Sequence, residues 1–322
     1  MGDQVTVDSK DDPTSTRGPR VAAARAALGP VGVVLPVSFT GQPAVSAQRA
    51  AVVQLEQAGY RTAWTNEVVG GKDALVHASI LLGATRHLVL GTSIANIWAR
   101  SPQTLHAAAA QLAEAYPGRF VLGVGVGYPD QAAAVGRAYG SPLATLRDHL
   151  GRMDAPTQPP APEAPYPRIV AANGPRMLAL AAELSDGALP AGMPEAYTAY
   201  ARKVLGPDRL LAVGLSVVPG DDPEQTRAAA RQMATALLSR PSYAAVAAKL
   251  GLPGAGADPA APDDALVDAL VAHGGPDAIA AAARRHLAAG ADHVLLLPQP
   301  GEEYAAAVDT LAALAPALAD LA

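Results

Sequence analysis

The chain contains no cysteine, which excludes disulfides, a cysteine nucleophile and thiolate metal ligands together. Aromatic residues make up only 4% of its 322 residues, and 24 Lys and Arg against 29 Asp and Glu leave a net charge of −5. Nucleic-acid binding relies on a basic footprint and stacking aromatics, so both shortages argue against a nucleic-acid partner. An acidic balance also gives no attraction to anionic membranes. The opening stretch MGDQVTVDSKDDPTSTRGPR is polar and lacks the apolar centre of a signal peptide. No run of about 20 predominantly apolar residues is free of Gly, Pro and charge, so no membrane span is expected. A soluble cytoplasmic protein is the expectation, with residues 1–28 read as a flexible N-terminal extension.

Half of the residues are hydrophobic and the mean hydropathy is +0.16, which suffices for one large core. Short β-like runs alternate with Ala-rich helical stretches. Strands are expected at 31–35, 62–65, 87–94, 120–126, 168–172, 187–190, 209–218 and 292–297. The helices between them open on identifiable caps. Pro43 lies in the first turn of a helix carrying Val45, Val52 and Leu55, and Asp73 caps one carrying Leu75, Val76, Ile80 and Leu82. Ser101-Pro102 and Asp222-Pro223 open two more. The stretch 240–276 reads as irregular apart from a helix at 263–272, and a last helix carries Val308, Leu311, Leu314 and Leu318. Strict alternation implies a parallel sheet with right-handed crossovers. Eight such units within about 290 residues fit a single closed (β/α)8 TIM barrel, residues 29–322, better than two open sheets.

Several familiar motifs fail on inspection. Gly123-Val-Gly-Val-Gly127 lacks the third glycine of a dinucleotide loop, though glycines at a strand end would let a flat ring or phosphate approach the backbone. Gly70-Gly71-Lys72-Asp73 is not a P-loop, the histidines show no ligand spacing, and no G-x-S-x-G elbow exists. No metal site is expected. What remains are polar residues at the C-terminal ends of strands, where barrel enzymes keep their chemistry. They are Asn66 and Glu67; Ser93, Asn96, Trp98 and Arg100; Tyr128 and Asp130; and Asn173 with Gly174. Asn, Asp and Gly also shape loops with no further purpose, but their clustering on one face favours a site.

The segments LGTSIANIWARSPQTL, AYPGRFVLGVGVG and PRIVAANGPRMLALAAELSDGALP, with the closing AGADHVLLLP, resemble the luciferase-like monooxygenase superfamily. More narrowly, they resemble its F420-dependent oxidoreductase branch of actinobacterial type. The resemblance implies a deazaflavin at the barrel mouth and hydride transfer at its C5 to or from a small organic substrate. It also implies a non-proline cis peptide at Ser93-Ile94 beneath the ring. Asn66, Asn96, Gly125, Val126, Gly127, Ala172, Asn173 and Gly174 would complete the cofactor contacts. Glu67 and Tyr128 are the candidate proton donors or acceptors.

Three departures bear on chemistry. Luciferase has an arginine near its flavin phosphate where Val126 stands. F420-dependent glucose-6-phosphate dehydrogenase has a glutamate at Tyr128 and a histidine at Glu67. Asn173 stands where a smaller or apolar residue is common, which implies a remodelled phosphate region. Two alternatives stay open: a two-component FMN monooxygenase, and a barrel that has lost redox chemistry and serves in binding or a non-redox step. A homodimer is expected from the low-charge, Ala-rich helices.

Overall fold

The computed structural model describes residues 13–37, 41–252, 254 and 258–321. Eight parallel strands close on themselves: β1 (Val31–Val34), β2 (Thr62–Thr65), β3 (Val89–Thr92), β5 (Phe120–Gly125), β6 (Arg168–Ala171), β7 (Gly187–Leu189), β8 (Leu210–Pro219) and β10 (His293–Pro298). Closure comes from β10, which pairs with both β1 and β8. Two short strands stand outside the ring: β4 (Ala95–Asn96) beside β5, and β9 (Val271–Gly274) beside the far end of β8. The eight barrel strands coincide with the eight expected, and helices alternate with them.

Residues pointing inward and outward alternate along each strand. Ala63, Leu90, Leu122 and Val170 face the helix layer. Val34, Trp64, Val89, Val121, Ile169, Leu189, Leu210, Ala212 and Leu295 fill the barrel. Trp64 is fully buried there, and its indole Nε1 donates to His293 Nε2 at 3.0 Å. An indole nitrogen can only donate, so His293 carries its proton on Nδ1 and donates it to the Gly29 carbonyl at 2.7 Å. Burial lowers the His293 pKa to about 4 and keeps the ring neutral. Beside it, Gly91 leaves room for the indole, because any Cβ there would overlap the Trp64 ring.

Two segments differ from the sequence reading. Part of the expected flexible extension is a helix, Pro13–Leu28, which buries Val21, Ala24 and Leu28 against the barrel interior and closes its N-terminal end. Arg20 clamps Asp186 at 2.6 and 3.0 Å, Arg25 pairs with Asp292 at 3.0 Å, and Thr62 Oγ1 donates to the Leu28 carbonyl at 2.7 Å. Its early residues are polar, which hides the apolar stripe from a composition reading; residues 1–12 lie outside the described part. Within 240–276, the helix Pro241–Lys249 and the strand β9 were not expected. The C-terminal helix follows the expectation, although by length and composition alone it could cross a membrane. It lays Val308, Leu311, Leu314 and Leu318 into the core, as expected, and accepts a hydrogen bond from Tyr60 at the Leu311 carbonyl.

Candidate active site

The mouth of the barrel is organised by the junction of β2 with β3. Ser93 N donates to the Thr65 carbonyl at 2.7 Å and Glu67 N to the Ile94 carbonyl at 3.2 Å, so the ladder runs past both strand ends. The Ser93–Ile94 peptide between them is cis, as the resemblance implies. Leu90 pairs with Phe120, but Ala95 pairs with Val124, which leaves one extra residue on the β3 side, a bulge.

The pleat sorts the expected site residues into two sets. Trp64 points inward, so Asn66 does too, and Val89 and Gly91 likewise place Ser93 on the inner face beside it. Its hydroxyl oxygen is buried with no hydrogen-bond partner. On β5, Gly123 and Gly125 share the inward face of Val121; a Cβ on Gly123 would collide with the Thr92 carbonyl, and one on Gly125 would press on Ala171 and the Ile94 side chain. Asn173 follows Ile169 inward and accepts from Ala191 N at 3.0 Å. Gly174 caps the helix Pro175–Leu184 with open space around its Cα.

The second set faces the helix layer. Ala172 is buried there, and Val126 turns its side chain to the same cluster while its carbonyl accepts from Trp98 Nε1 at 2.7 Å. Both were expected beside a cofactor; strand alternation turns their side chains away from the barrel axis. Asn96, buried too, belongs with the first set, because it pairs with Gly125 once the bulge has shifted the register. Its amide donates to Gln131 Oε1 at 3.0 Å, and its carbonyl oxygen accepts from Trp98 N at 3.0 Å. Gln131 Oε1 also takes Tyr128 N at 2.9 Å. Gly127, at φ +55°, has to be glycine, since a Cβ would overlap Gln131 and crowd Asn96.

Glu67 belongs to this second set. Its carboxylate accepts from Ala74 N at 3.1 Å and Asn96 N at 2.6 Å, and it forms a two-point ion pair with Arg100, which also holds Asp73 at 2.6 Å. Burial opposes the Arg100 charge, but the Glu67 and Asp73 carboxylates outweigh it and raise the pKa. Glu67 thus ties the start of the helix Ala74–Leu82 to the strand that resumes after the bulge. Tyr128 stands at the rim, 38% exposed, with the Arg240 guanidinium 3.8 Å from its ring centre. Tyr243 lies against Tyr128 and Asn173, and burial pushes its phenol pKa up.

Sequence reading did not single out Lys72, Gln131, Tyr139, Arg240 or Tyr243. Tyr139 donates to the Gly127 carbonyl at 2.9 Å. Arg240 and Tyr243 come from the segment read as irregular. Lys72 was weighed only as part of a phosphate loop; its Nζ donates to Asn66 Oδ1 at 2.8 Å. Burial lowers its pKa to about 8, and burial together with the Lys72 charge lowers that of neighbouring His77 to about 3.

A groove of about 660 Å³ lies at the opposite end, between the helix Pro13–Leu28 and the Pro-rich stretch 155–167. Its arginines and aspartates are engaged with one another: Arg20 with Asp186, and Arg168 with Asp154 at 2.8 and 3.0 Å. In barrels that face serves stability and the strand C-termini serve chemistry.

A model of the luciferase-like monooxygenase family matches residues 30–293. A Mycobacterium tuberculosis protein named as an F420-dependent oxidoreductase, Rv3520c, is 30% identical over 43% of this chain and 49% of its own length. The 5,10-methylenetetrahydromethanopterin reductase of Methanolobus tindarius is 26% identical over 42% of this chain and 46% of its own. The chain thus spans about half the length of the curated relatives it matches. Among solved structures, an F420-dependent secondary alcohol dehydrogenase with an F420-acetone adduct superimposes at TM-score 0.69, with 15% identity over 89% of this chain and 98% of that one. The oxygenating constituent of 3,6-diketocamphane monooxygenase from Pseudomonas putida, in complex with FMN, also reaches 0.69, with 16% identity over 90% of this chain and 98% of that one. At these identities the structures establish a shared fold.

Proposed function

The chain belongs to the luciferase-like monooxygenase family, and within it we propose an F420-dependent oxidoreductase that moves a hydride between the deazaflavin and a small carbonyl compound or its alcohol. The observation that carries this reading is the inner face of the mouth. There the unpartnered Ser93 hydroxyl stands beside Asn66 and next to β5, where Gly125 lets the Ile94 side chain lie close against the strand. A flat, polar-edged ring suits such a surface: the Ile94 side chain packed on Gly125 would back its face, and Ser93 and Asn66 would meet its edge. The names of the relatives from M. tuberculosis and M. tindarius support the same direction.

The bound deazaflavin would supply the hydride at its C5, and the protein supplies orientation and exclusion of water. Ile94 and Gly125 would back the ring, and Gly174 at the start of a ten-residue helix would receive a phosphate. Glu67, with every lone pair engaged, holds the bulge in place. Tyr128 lines the rim where substrate enters. Titrating purified protein with F420 and with FMN side by side tests the reading. F420 binding at least tenfold tighter than FMN is expected. Tighter FMN with oxygen consumption establishes the monooxygenase reading instead, and binding of neither sinks redox chemistry.

A further inference from the structure

Asn66 and Ser93 are not the whole of the inner face. Lys72 sits after the Gly70-Gly71 turn, where the chain folds back so that Val68 and Lys72 bridge. Its side chain returns to the mouth and donates to Asn66 Oδ1 at 2.8 Å. Since the inward pleat fixes Asn66 above Trp64, the Lys72 ammonium is held at the inner edge of the mouth.

Its charge has no partner among the described residues. The two carboxylates nearest in sequence, Glu67 and Asp73, are both taken by Arg100. His77, on the helix Ala74–Leu82, carries no compensating charge: it is buried, shares a hydrogen bond with Thr65 Oγ1 at 2.7 Å, and stays neutral. The other charged groups around Lys72 are thus one closed Glu67–Arg100–Asp73 set and one neutral imidazole. A half-buried ammonium without a counter-charge costs stability, and groups kept at such a cost cluster at functional sites.

Resting on the F420 reading above, we propose that Lys72 is the residue that carries the proton accompanying hydride transfer, with Asn66 positioning it. In the reducing direction, hydride from the deazaflavin C5 forms the new C–H bond at the carbonyl carbon, and the C=O π pair moves to oxygen. An N–H bond of the Lys72 ammonium breaks to form the O–H. The amine regains a proton from solvent, and the deazaflavin gives up its ring N–H proton, so two electrons and two protons leave the cofactor overall. In the oxidising direction the neutral amine accepts the alcohol proton. A lysine lowered to about 8 serves both directions near neutral pH. Glu67 and the rim tyrosine do not match it: one is saturated by donors and the other lies under Arg240.

The test uses the whole protein with ¹³Cε-labelled lysine. Lys10, Lys72, Lys203 and Lys249 are the chain's lysines, so K72M assigns the Lys72 signal by its loss. The expected result is a Lys72 midpoint well below those of Lys203 and Lys249, moving further when F420 is added. K72M should still bind F420 within threefold of wild type. With F420H2 and cyclohexanone, acetone or benzaldehyde, K72M should lose about 100-fold or more in kcat with little change in KM. Wild-type reduction should fall as pH rises through the Lys72 midpoint, and K72R should lack that fall because guanidinium stays protonated. A Lys72 signal titrating with the other lysines overturns the proposal whatever F420 does, as does a K72M kcat within threefold of wild type. Failure of wild type to bind F420 overturns the cofactor reading and this proton-transfer role with it, whereas F420 binding with an ordinary Lys72 midpoint overturns the role of Lys72 alone.

Discussion

Glu67 offers the sharpest test of how the mouth is held. Its side chain is 1% exposed and that of Arg100 9%, while Asp73, the second partner of Arg100, is 46% exposed. Glu67→Gln removes the charge opposite Arg100 and keeps the shape. Breaking a buried pair from one side costs about 3–5 kcal/mol. Asp73 remains as a more solvated partner, which places the loss near about 3 kcal/mol. The glutamine carbonyl can serve Ala74 N or Asn96 N well, but not both together with Arg100, and an orphaned amide adds about 1–3 kcal/mol. Arg100→Gln strands the same carboxylate and should cost a similar amount. The double variant leaves no uncompensated charge, so its loss should stay close to that of either single, with a coupling of about 2–3 kcal/mol. Urea unfolding of the four proteins, followed by far-UV circular dichroism, gives the cycle. A coupling below about 0.5 kcal/mol would refute the reasoning, because Glu67 would then be free for other work.

The buried parts of the molecule give three further tests. Gly91→Ala drives a Cβ into the Trp64 ring, and overpacking of this kind costs about 1–3 kcal/mol or more; urea midpoints should show the loss and its partial recovery with Trp64→Leu. His293, His286 and His149 have pKa values lowered to about 4 by burial. The unfolded chain therefore binds more protons between pH 6.5 and about 4, and stability should decline as pH falls through that window. His293→Gln should flatten the decline measured by urea midpoint against pH, and an unchanged slope would count against a neutral buried His293. Deleting residues 1–28 uncovers the interior cluster beneath Trp64; the truncated chain should bind ANS and unfold at lower urea. Unchanged dye binding would mean that Val21, Ala24 and Leu28 do not close the barrel.

Much of the fold was legible because parallel barrel strands are buried on both faces and read as short apolar runs between capped helices. Asp73 and Ser101 cap their helices as expected, donating amides being Leu75, Val76 and Thr104. The helix Pro13–Leu28 was illegible for a physical reason. It covers the open end of a barrel with the few residues Val21, Ala24 and Leu28, and anchors itself through arginines. A stripe that narrow, flanked by polar residues, carries little periodic signal. The last helix was legible, by contrast, because Val308, Leu311, Leu314 and Leu318 form a broad stripe that the core takes up.

The site was legible as a set of strand ends and illegible as a set of directions. Naming Ala172 with Asn173, or Val126 with Gly125, treats consecutive residues as neighbours, whereas a strand sends them to opposite faces. Glu67 and Asn66 make the same point: the residue with the more reactive side chain faces the helices, and its polar neighbour faces the mouth. Register alone, counted from Trp64, would have separated them, since one large inward side chain fixes the parity of its strand. Lys72 needed more than register, because it reaches the mouth by a turn and a hydrogen bond to Asn66. Such a residue becomes visible only once the partner's direction is known. The chemistry of this mouth is therefore set less by which polar residues the strand ends carry than by which of them the pleat turns inward.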